Sequence, residues 1–298
     1  MAGTDEKHSL RREQLSPLLI LSAAMLFSLG GILVKLVPWN SMSICSARSI
    51  IAALELALYM KIRKHKFVFN RSVLLGGVAM GLSSITYVVA NKLTTAANAI
   101  LIQYTAPVFI IFFMWLFFRE KPTKLDIGAT VVISAGIILF FIDGIGGGEM
   151  VGNLVALASG ITYSLMFMMK KFKGSDNISC VMVGCIVGAV AGLPWLFRET
   201  VFTPASVGGV LTIGILQFGL AYICMAEGLR YTPPLSASLI SMVEPVLNPI
   251  LAVLVINEFP GPIALTGAFI VVCGVIVYNI LKEHAAHIKT HPKKFRKA

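Results

Sequence analysis

Apolar stretches of about twenty residues recur along almost the whole chain, and this feature restricts the fold more than any other. An α-helix rises about 1.5 Å per residue, so about twenty residues cross the hydrocarbon core of a bilayer. The connections between the stretches are short and often contain Pro, Gly or Asn. The sequence therefore predicts an all-α integral membrane protein with ten transmembrane helices, at 17–37, 43–60, 72–90, 97–118, 125–142, 152–169, 178–197, 207–227, 233–256 and 262–281.

The composition agrees with a membrane protein. The 298 residues are 57% hydrophobic and 13% charged, and a soluble protein carries about twice that share of charge. The net charge is +11, and with a cytoplasmic N-terminus 21 of the 25 Lys and Arg residues fall on the cytoplasmic side. The sequence thus predicts a multi-pass protein of the plasma membrane with both termini cytoplasmic, and the basic residues are a topology signal with no nucleic-acid partner. The C-terminal tail either touches anionic lipid or stays solvated.

Two copies of one pattern lie 138 residues apart in the chain, at 98–120 and 236–258. The matched pairs are Ala99 with Ala237, Leu101 with Leu239, Pro107 with Pro245, Val108 with Val246, Glu120 with Glu258, and Gly136 with Gly274. Several matches at one fixed offset indicate an internal repeat of about half the chain. Five helices per repeat is an odd number, so the second copy must enter the membrane from the opposite side, which predicts inverted repeats.

This duplicated order resembles the drug/metabolite transporter superfamily, and within it the EamA type with two five-helix modules. The resemblance is carried by Arg48 early in the second helix, by the Ala-to-Pro spacing of both copies, and by the paired Glu and Gly residues. It implies a central cavity lined by both repeats and alternating-access transport of small organic solutes, often amino acids and often outward. The clustered lysines expected of sugar-phosphate carriers are missing from the later helices. The predicted units are a tail at 1–16, repeats at 17–142 and 150–282, and a basic tail at 283–298.

Glu244 is the strongest candidate for the chemistry of transport, because it lies near the middle of a predicted span, directly before Pro245. An acid at mid-membrane depth costs a few kcal/mol to insert and by default indicates a function. It can bind and release a proton or pair with a cationic group of a substrate. The alternative is an uncharged Glu that caps carbonyl groups freed by Pro245 and Pro249. Its counterpart in the first repeat is Ala106, so any such chemistry is one-sided.

Three prolines interrupt predicted helices, and each removes a helix hydrogen bond. Pro107, Pro245 and Pro249 would free carbonyl groups that need protein or a wet cavity as partners. Either bent gating helices or static kinks fit this pattern. Gln103, Tyr104 and Asn248 lie within a turn of these breaks and can bind a ligand or make ordinary contacts between helices.

Arg48 and Glu55 are seven residues apart and share one face of the second helix. Arg48 can bind a carboxylate or extend to the interface, and a structural or gating ion pair is the favoured role of both residues. Tyr87 and Tyr222 occupy similar places in the third and eighth helices, where they can stack on a solute or simply pack. The steps Gly184, Gly188 and Gly192 allow close helix packing, within the chain or in a dimer.

Two other classes of membrane protein compete with a transporter. A membrane-embedded enzyme needs a catalytic cluster, but the five histidines all lie in tails or a loop. A channel needs a filter-like loop, and none is visible. The five cysteines lie inside apolar runs without a Cys-x-x-Cys motif, so no disulfide, metal site or cofactor is expected. The sequence predicts a secondary transporter, monomeric or weakly dimeric, that exports amino acids or derivatives; the alternative substrate class is cationic drugs.

Overall fold

The computed structural model describes residues 2–119, 121–147, 149–168, 173–231, 240–241, 243–257, 259 and 261–290. All regular elements in these ranges are helices, which confirms the all-α class. They are α1 (Ala2–Ser28), α2 (Gly30–Leu36), α3 (Ser41–Arg63), α4 (Arg71–Leu93), α5 (Ala96–Gln103), α6 (Ala106–Phe118), α7 (Lys124–Gly147), α8 (Met150–Met168), α9 (Asn177–Leu196), α10 (Pro204–Thr212), a π-helix (Ile213–Leu220), α11 (Ala221–Tyr231), α12 (Val243–Ile256) and α13 (Pro262–Thr290).

The helices begin where the sequence supplies an acceptor for their first free N–H groups. The N-cap side chains that accept a backbone N–H are Asn40, Asn70, Thr95, Asp176 and Thr203. The first and last helices are longer than the predicted spans, because α1 begins at Ala2 and α13 continues to Thr290. Part of each predicted tail is therefore helical, and residues 291–298 lie outside the described residues.

Six helical segments in the described ranges are long and apolar enough to cross a membrane. They are Leu15–Leu36, Ser41–Arg63, Arg71–Leu93, Ala96–Phe118, Asn177–Leu196 and Pro204–Gly228. Three shorter apolar helices lie at Met150–Leu165, Val243–Val255 and Leu265–Tyr278. The chain is thus a multi-pass helical membrane protein, and the count of ten spans stays a prediction.

The large contacts between helices have equivalents when each helix is replaced by its counterpart in the other predicted repeat. α3 packs on α9, α7 on α13 and α5 on α12, and each of these pairs joins a span to its own counterpart in the other repeat. The remaining large contacts also come in matched sets. α4 on α8 corresponds to α1 on α11, and α4 on α9 corresponds to α3 on the π-helix. The packing therefore has the approximate two-fold symmetry that the internal repeat requires.

α3 and α9 run antiparallel and are tied together at both ends by their flanking loops. At the C-terminal end of α3, His65 Nε2 lies 3.1 Å from Asp176 Oδ2, and the Asn70 amide donates to the Gly174 carbonyl at 2.8 Å. At the other end, Trp39 Nε1 donates to the Val201 carbonyl at 2.6 Å. We call these contacts the 65–176 clamp and the 39–201 clamp.

Glycines permit the close packing of α9 against its neighbours. A side-chain carbon at Gly192 would overlap the Met42 carbonyl of α3, one at Gly188 would lie 2.6 Å from Ser49 Oγ, and one at Gly184 2.7 Å from Met80 Sδ of α4. The small-residue steps of α9 thus serve packing within the chain.

We expect Gly192→Ala to lower the melting temperature of the protein in detergent. The added methyl group meets backbone rather than a movable side chain, and such overpacking costs about 1–3 kcal/mol. Gly208→Ala is the matched control, because nothing lies within 4 Å of a side-chain carbon at Gly208. Equal melting temperatures for the two variants would contradict the packing described for α9.

The 65–176 clamp provides a second stability prediction. Burial opposes the charge on Asp176, but hydrogen bonds from Ser179 and His65 hold the pKa of Asp176 below its ordinary value. A lowered folded-state pKa adds stability above the unfolded value, about pH 4, and the contribution is lost as the pH falls through the folded-state pKa. We therefore expect Asp176→Ala to cost about 1 kcal/mol at pH 7, as for other N-cap removals, with a smaller deficit below about pH 4.

The measurement is thermal unfolding in detergent at several pH values. Asp176→Asn is the control, because an amide oxygen still caps α9 and the loss should be smaller. A deficit that stays constant through the acid range would show that the carboxylate of Asp176 does not stabilise this end of the bundle.

Candidate functional site

A cavity of about 40 Å³, with room for a few water molecules, lies in the interior of the bundle, between spans of both repeats. Its lining combines an acid, a base, neutral polar groups and aromatic rings. The lining residues are Phe27, Arg48, Ser83, Ser84, Tyr87, Gln103, Tyr163, Gln217, Phe218, Tyr222 and Glu244.

Glu244 supplies the acid of the cavity. It lies in the first turn of α12 and is 7% exposed. The hydroxyl of Tyr104 donates to Glu244 Oε2 at 2.7 Å, and it also lies 3.4 Å from the Ser241 carbonyl. The carboxyl group therefore has one fixed neutral donor and faces the cavity.

Arg48 supplies the base and is almost fully enclosed, with 1% of its surface exposed. Its Nη2 donates to Ser84 Oγ at 2.6 Å and to the Ser84 carbonyl at 3.0 Å. The guanidinium carbon lies 4.5 Å from the centroid of the Phe218 ring, a cation–π contact. Its Nε makes no hydrogen bond to any residue that the structure describes. Arg48 is thus held in the interior with donor capacity left over, and it does not extend to the interface.

A chain of hydrogen bonds fixes Gln103 on the other side of the cavity. The amide of Gln103 donates to Ser159 Oγ at 2.7 Å, and Ser159 Oγ in turn donates to the Ser83 carbonyl at 3.1 Å. These residues come from α5, α8 and α4. The network therefore holds three helices around one polar corner.

Tyr87, Asn91 and Asn248 form a buried polar group beside the cavity. Both asparagines are fully buried, and their amides are electrostatic neighbours of the Tyr87 hydroxyl. None of their side-chain polar atoms makes a hydrogen bond of ordinary geometry within the described chain. The Asn248 amide packs against Gly31 of α2, where a side-chain carbon would lie 2.5 Å from Asn248 Oδ1. Asn248 itself is outside the cavity lining.

Aromatic rings form the remaining wall of the cavity. Tyr222 makes edge-to-face contacts with Phe27 at 4.9 Å and with Phe218 at 5.0 Å between ring centroids. The ring centroid of Tyr163 lies 6.3 Å from that of Tyr104. Such rings provide apolar area and negative faces for a solute that carries a cationic group.

The fourth predicted span is broken at the cavity. α5 ends at Gln103, a turn follows at 104–105, and α6 begins at Ala106 with Pro107 in its first turn. The carbonyl groups of Ile102 and Gln103 face Gly160 of α8, each 3.2 Å from the position of a side-chain carbon there. The freed backbone groups thus face protein rather than lipid, as a membrane requires.

The ninth predicted span differs from the fourth. α12 continues through Pro245 and Pro249 without interruption. The Ser241 carbonyl, which Pro245 deprives of its helix partner, lies close to the Tyr104 hydroxyl. Residues 232–239, at the predicted start of this span, and the paired Glu120 and Glu258 lie outside the described residues.

The eighth span contains an eight-residue π-helix at Ile213–Leu220. It directs Gln217 and Phe218 to the cavity. π-helical turns are rare and occur often at functional sites, because each turn widens the helix and shifts side chains. No feature of the sequence predicted this segment, although Gly214 and Gly219 at its ends allow close approach of α3.

The structure brings most of the predicted site residues together. Five of them line the cavity: Glu244, Gln103, Tyr87, Tyr222 and Arg48. Tyr104 and Asn248 lie outside the lining, next to Glu244 and Tyr87 respectively. The sequence did not single out Ser83, Ser84, Gln217 or Phe218. Gln217 had one available signal, since it is the only amide side chain in its apolar run.

A structural or gating ion pair stays a prediction for Arg48 and for Glu55, and the two side chains do not pair with each other in the described structure. Arg48 is bound to Ser84, whereas Glu55 Oε2 faces Gly219 of the π-helix and has no hydrogen-bond partner in the described residues. Seven residues on a helix span about 10 Å, so a shared face does not by itself bring two charges into contact.

The helical architecture with a polar cavity between the two repeats is that of a membrane transporter for small molecules. The model of the EamA-like transporter family matches residues 14–142 and again 150–280. The chain belongs to this family, which confirms the resemblance seen in the sequence.

The relatives and one solved structure agree with this assignment. An uncharacterized transporter of Clostridium kluyveri is 25% identical over 264 residues, which cover 83% of this chain and 85% of that protein. The uncharacterized transporter YdfC of Bacillus subtilis is 27% identical over 212 residues, 68% of each chain. The mouse protein solute carrier family 35 member G1 is 30% identical over 122 residues, 39% of this chain and 33% of its own. One crystal structure superposes with a TM-score of 0.66 at 18% identity over 90% of this chain and 98% of its own, a likeness in fold.

Proposed function

We propose that this transporter moves zwitterionic amino acids or close derivatives, and that it exports them across the plasma membrane. The observation that carries the proposal is the presence of Arg48 and Glu244 in the lining of one interior cavity. A solute with a carboxylate and an ammonium group complements both side chains at once. Such pairing compensates for the desolvation of each charge.

The roles of the other residues follow from this pairing. Arg48 has an unused Nε donor for a carboxylate. Glu244 receives the ammonium group, and the rings of Phe27 and Tyr222 cover the carbon skeleton. A proton replaces the ammonium group on Glu244 after release, so transport is coupled to proton movement in the opposite direction. The helix break before Pro107 provides the bending that gating needs. Pro245 and Pro249, which each remove a helix hydrogen bond, make α12 easier to bend.

The proposed architecture has ten transmembrane helices in two inverted repeats, with both termini cytoplasmic. The antiparallel α3 and α9, which are counterparts in the two repeats, support the inversion. The excess of Lys and Arg in the segments assigned to the inside supports the orientation. Tagging the termini and testing protease access in intact cells would check it.

Counterflow in proteoliposomes tests the substrate class. Vesicles loaded with an amino-acid mixture should accumulate a labelled zwitterionic amino acid, and vesicles without internal substrate should not. Tracers with a single charge, such as an amine or a carboxylate alone, are the controls and should exchange poorly. Exclusion of every zwitterionic tracer by folded, inserted protein would refute the amino-acid assignment.

Transport of cationic drugs is the second candidate function. The observation that favours it is the wall of aromatic rings near Glu244, because aromatic faces and a carboxylate together bind organic cations. Arg48 in the same lining opposes it, since a like charge repels the ligand. Exchange of a lipophilic cation without exchange of amino acids would favour this function.

A further inference from the structure

The side of α3 that faces the eighth span carries a line of polar residues leading away from the cavity. Arg48, Glu55, Tyr59 and Arg63 recur at helical spacing on one face of α3. Their partners on the eighth span follow the same order. Arg48 lies over Phe218, Glu55 against Gly219, and the Tyr59 hydroxyl donates to Glu227 Oε1 at 2.5 Å.

Glu55 has no role in the cavity and no described counter-charge. Its Oε2 is enclosed and makes no hydrogen bond within the described chain. A side-chain carbon at Gly219 would overlap this oxygen, and the Gly214 carbonyl would lie 3.1 Å from the same carbon. Glu55 as a whole is half-buried, but a carboxylate oxygen enclosed without a donor is costly, and this cost is relieved when the group holds a proton.

No charged side chain among the described residues is an electrostatic neighbour of Glu55. α9, α10 and the π-helix contain no acidic or basic residue, and the basic residues of α4, Arg71 and Lys92, lie at its two ends. Cys224 of α11 is an electrostatic neighbour of Glu55, and the charged residues of α11, Glu227 and Arg230, lie toward its C-terminal end. On α3 itself, Arg48 lies about two turns away, held by Ser84.

We infer that Glu55 is a second proton-binding carboxyl group of the transporter, and that Tyr59, Glu227 and Arg63 connect it to the end of α3 remote from the 39–201 clamp. Tyr59 lies one turn beyond Glu55, and Arg63, an exposed electrostatic neighbour of Tyr59, ends the line. In the proposed orientation that end is cytoplasmic. Glu55 thus gains its proton from the cytoplasmic side and keeps it while the π-helix packs on α3. The inference that Glu55 takes part in proton coupling rests on the proposed function. The inference that Glu55 holds a proton does not.

Infrared difference spectroscopy of the full-length protein tests the proton directly and needs no substrate. At pH 7.5 the wild-type minus Glu55→Gln spectrum should contain the C=O stretching band of a protonated carboxylic acid. A carboxyl group in water would be ionised at that pH, about three units above its ordinary pKa of about 4. A difference confined to carboxylate bands would overturn the inference, whatever the substrate proves to be.

A pair of glycine variants tests the enclosure by the π-helix. Gly219→Ala places a methyl group against Glu55 Oε2 and should move the carboxyl group toward water, so the protonated band is lost at pH 7.5. Gly208→Ala, in the same span but in open space, should keep the band. Retention of the band in folded Gly219→Ala would refute the enclosure, and the Glu55→Gln spectrum decides the question if Gly219→Ala does not fold.

Transport measurements then separate coupling from substrate binding. Glu55→Gln should retain counterflow, whereas accumulation driven by a pH gradient should fall about tenfold for each pH unit, the share of one coupled proton, and the share of Glu244 should remain. Unchanged pH-driven accumulation in Glu55→Gln would remove Glu55 from coupling. Failure of amino-acid counterflow in the wild type would instead refute the proposed substrate, while the infrared result still stands.

Discussion

Replacing Glu244 with glutamine is expected to reduce amino-acid counterflow about 30-fold or more. Loss of one partner from a buried, hydrogen-bonded charge pair costs about 2 kcal/mol or more, and about 1.4 kcal/mol corresponds to a factor of ten. Glutamine keeps the size of the side chain and an oxygen that accepts from Tyr104. The change therefore removes the charge and the proton site while retaining the local packing.

The remaining transport by Glu244→Gln should also lose the part of the pH dependence that Glu244 contributes, and only the part due to Glu55 should remain. The control is Tyr104→Phe, which removes the hydroxyl donor to Glu244 but keeps the ring in place. A neutral hydrogen bond contributes about 1 kcal/mol, so the control should reduce counterflow by about fivefold and remain pH-dependent. If Glu244→Gln transports with the pH profile of the wild type, Glu244 does not exchange a proton during transport.

Replacing Arg48 with lysine is expected to reduce counterflow by about tenfold to a hundredfold while the protein remains folded. An ammonium group keeps the charge but cannot donate to Ser84, face Phe218 and present a further donor to a carboxylate in one geometry. The deficit should appear for solutes with a carboxylate and be absent for a simple amine. Initial rates at several substrate concentrations separate weaker binding from slower turnover.

Arg198→Lys is the matched control for Arg48→Lys. Arg198 is exposed in the loop after α9, so the change should leave counterflow and stability unaltered. Full activity in Arg48→Lys would show that Arg48 is structural and that another donor binds the carboxylate. Arg48→Leu would not decide this question, because it also removes a cation–π contact and leaves a polar pocket without its partner.

The sequence predicted the class, the repeat and most of the site for definite physical reasons. Apolar length specifies a membrane helix, and a buried ionisable residue such as Glu244 or Arg48 is costly enough to indicate a function. The family match confirms the resemblance drawn from the duplicated pattern. The cavity also brings Gln103 and Tyr222 beside Glu244, which their positions in separate spans only suggested.

Other parts of the site could not be predicted because they depend on tertiary packing. Ser84 becomes the partner of Arg48 only when α3 and α4 are placed side by side. The π-helix has no recognised residue pattern, and Phe218 faces the cavity through its altered geometry. Glu55 shares a face with Arg48, but the packing of Gly219 determines where its carboxyl group lies.

The two clamps on α3 and α9 have a consequence for the resting orientation of the transporter. In the alternating-access cycle that the family resemblance implies, we expect the two ends of this antiparallel pair to separate in turn, so that one clamp opens while the other holds. The ratio of the two orientations then depends on the difference between the free energies of the clamps, and their sum sets only the stability of the closed bundle. A change of about 1.4 kcal/mol in one clamp alone would alter that ratio about tenfold. Single substitutions in these loops, far from the cavity, can therefore reset which side of the membrane the binding site faces at rest.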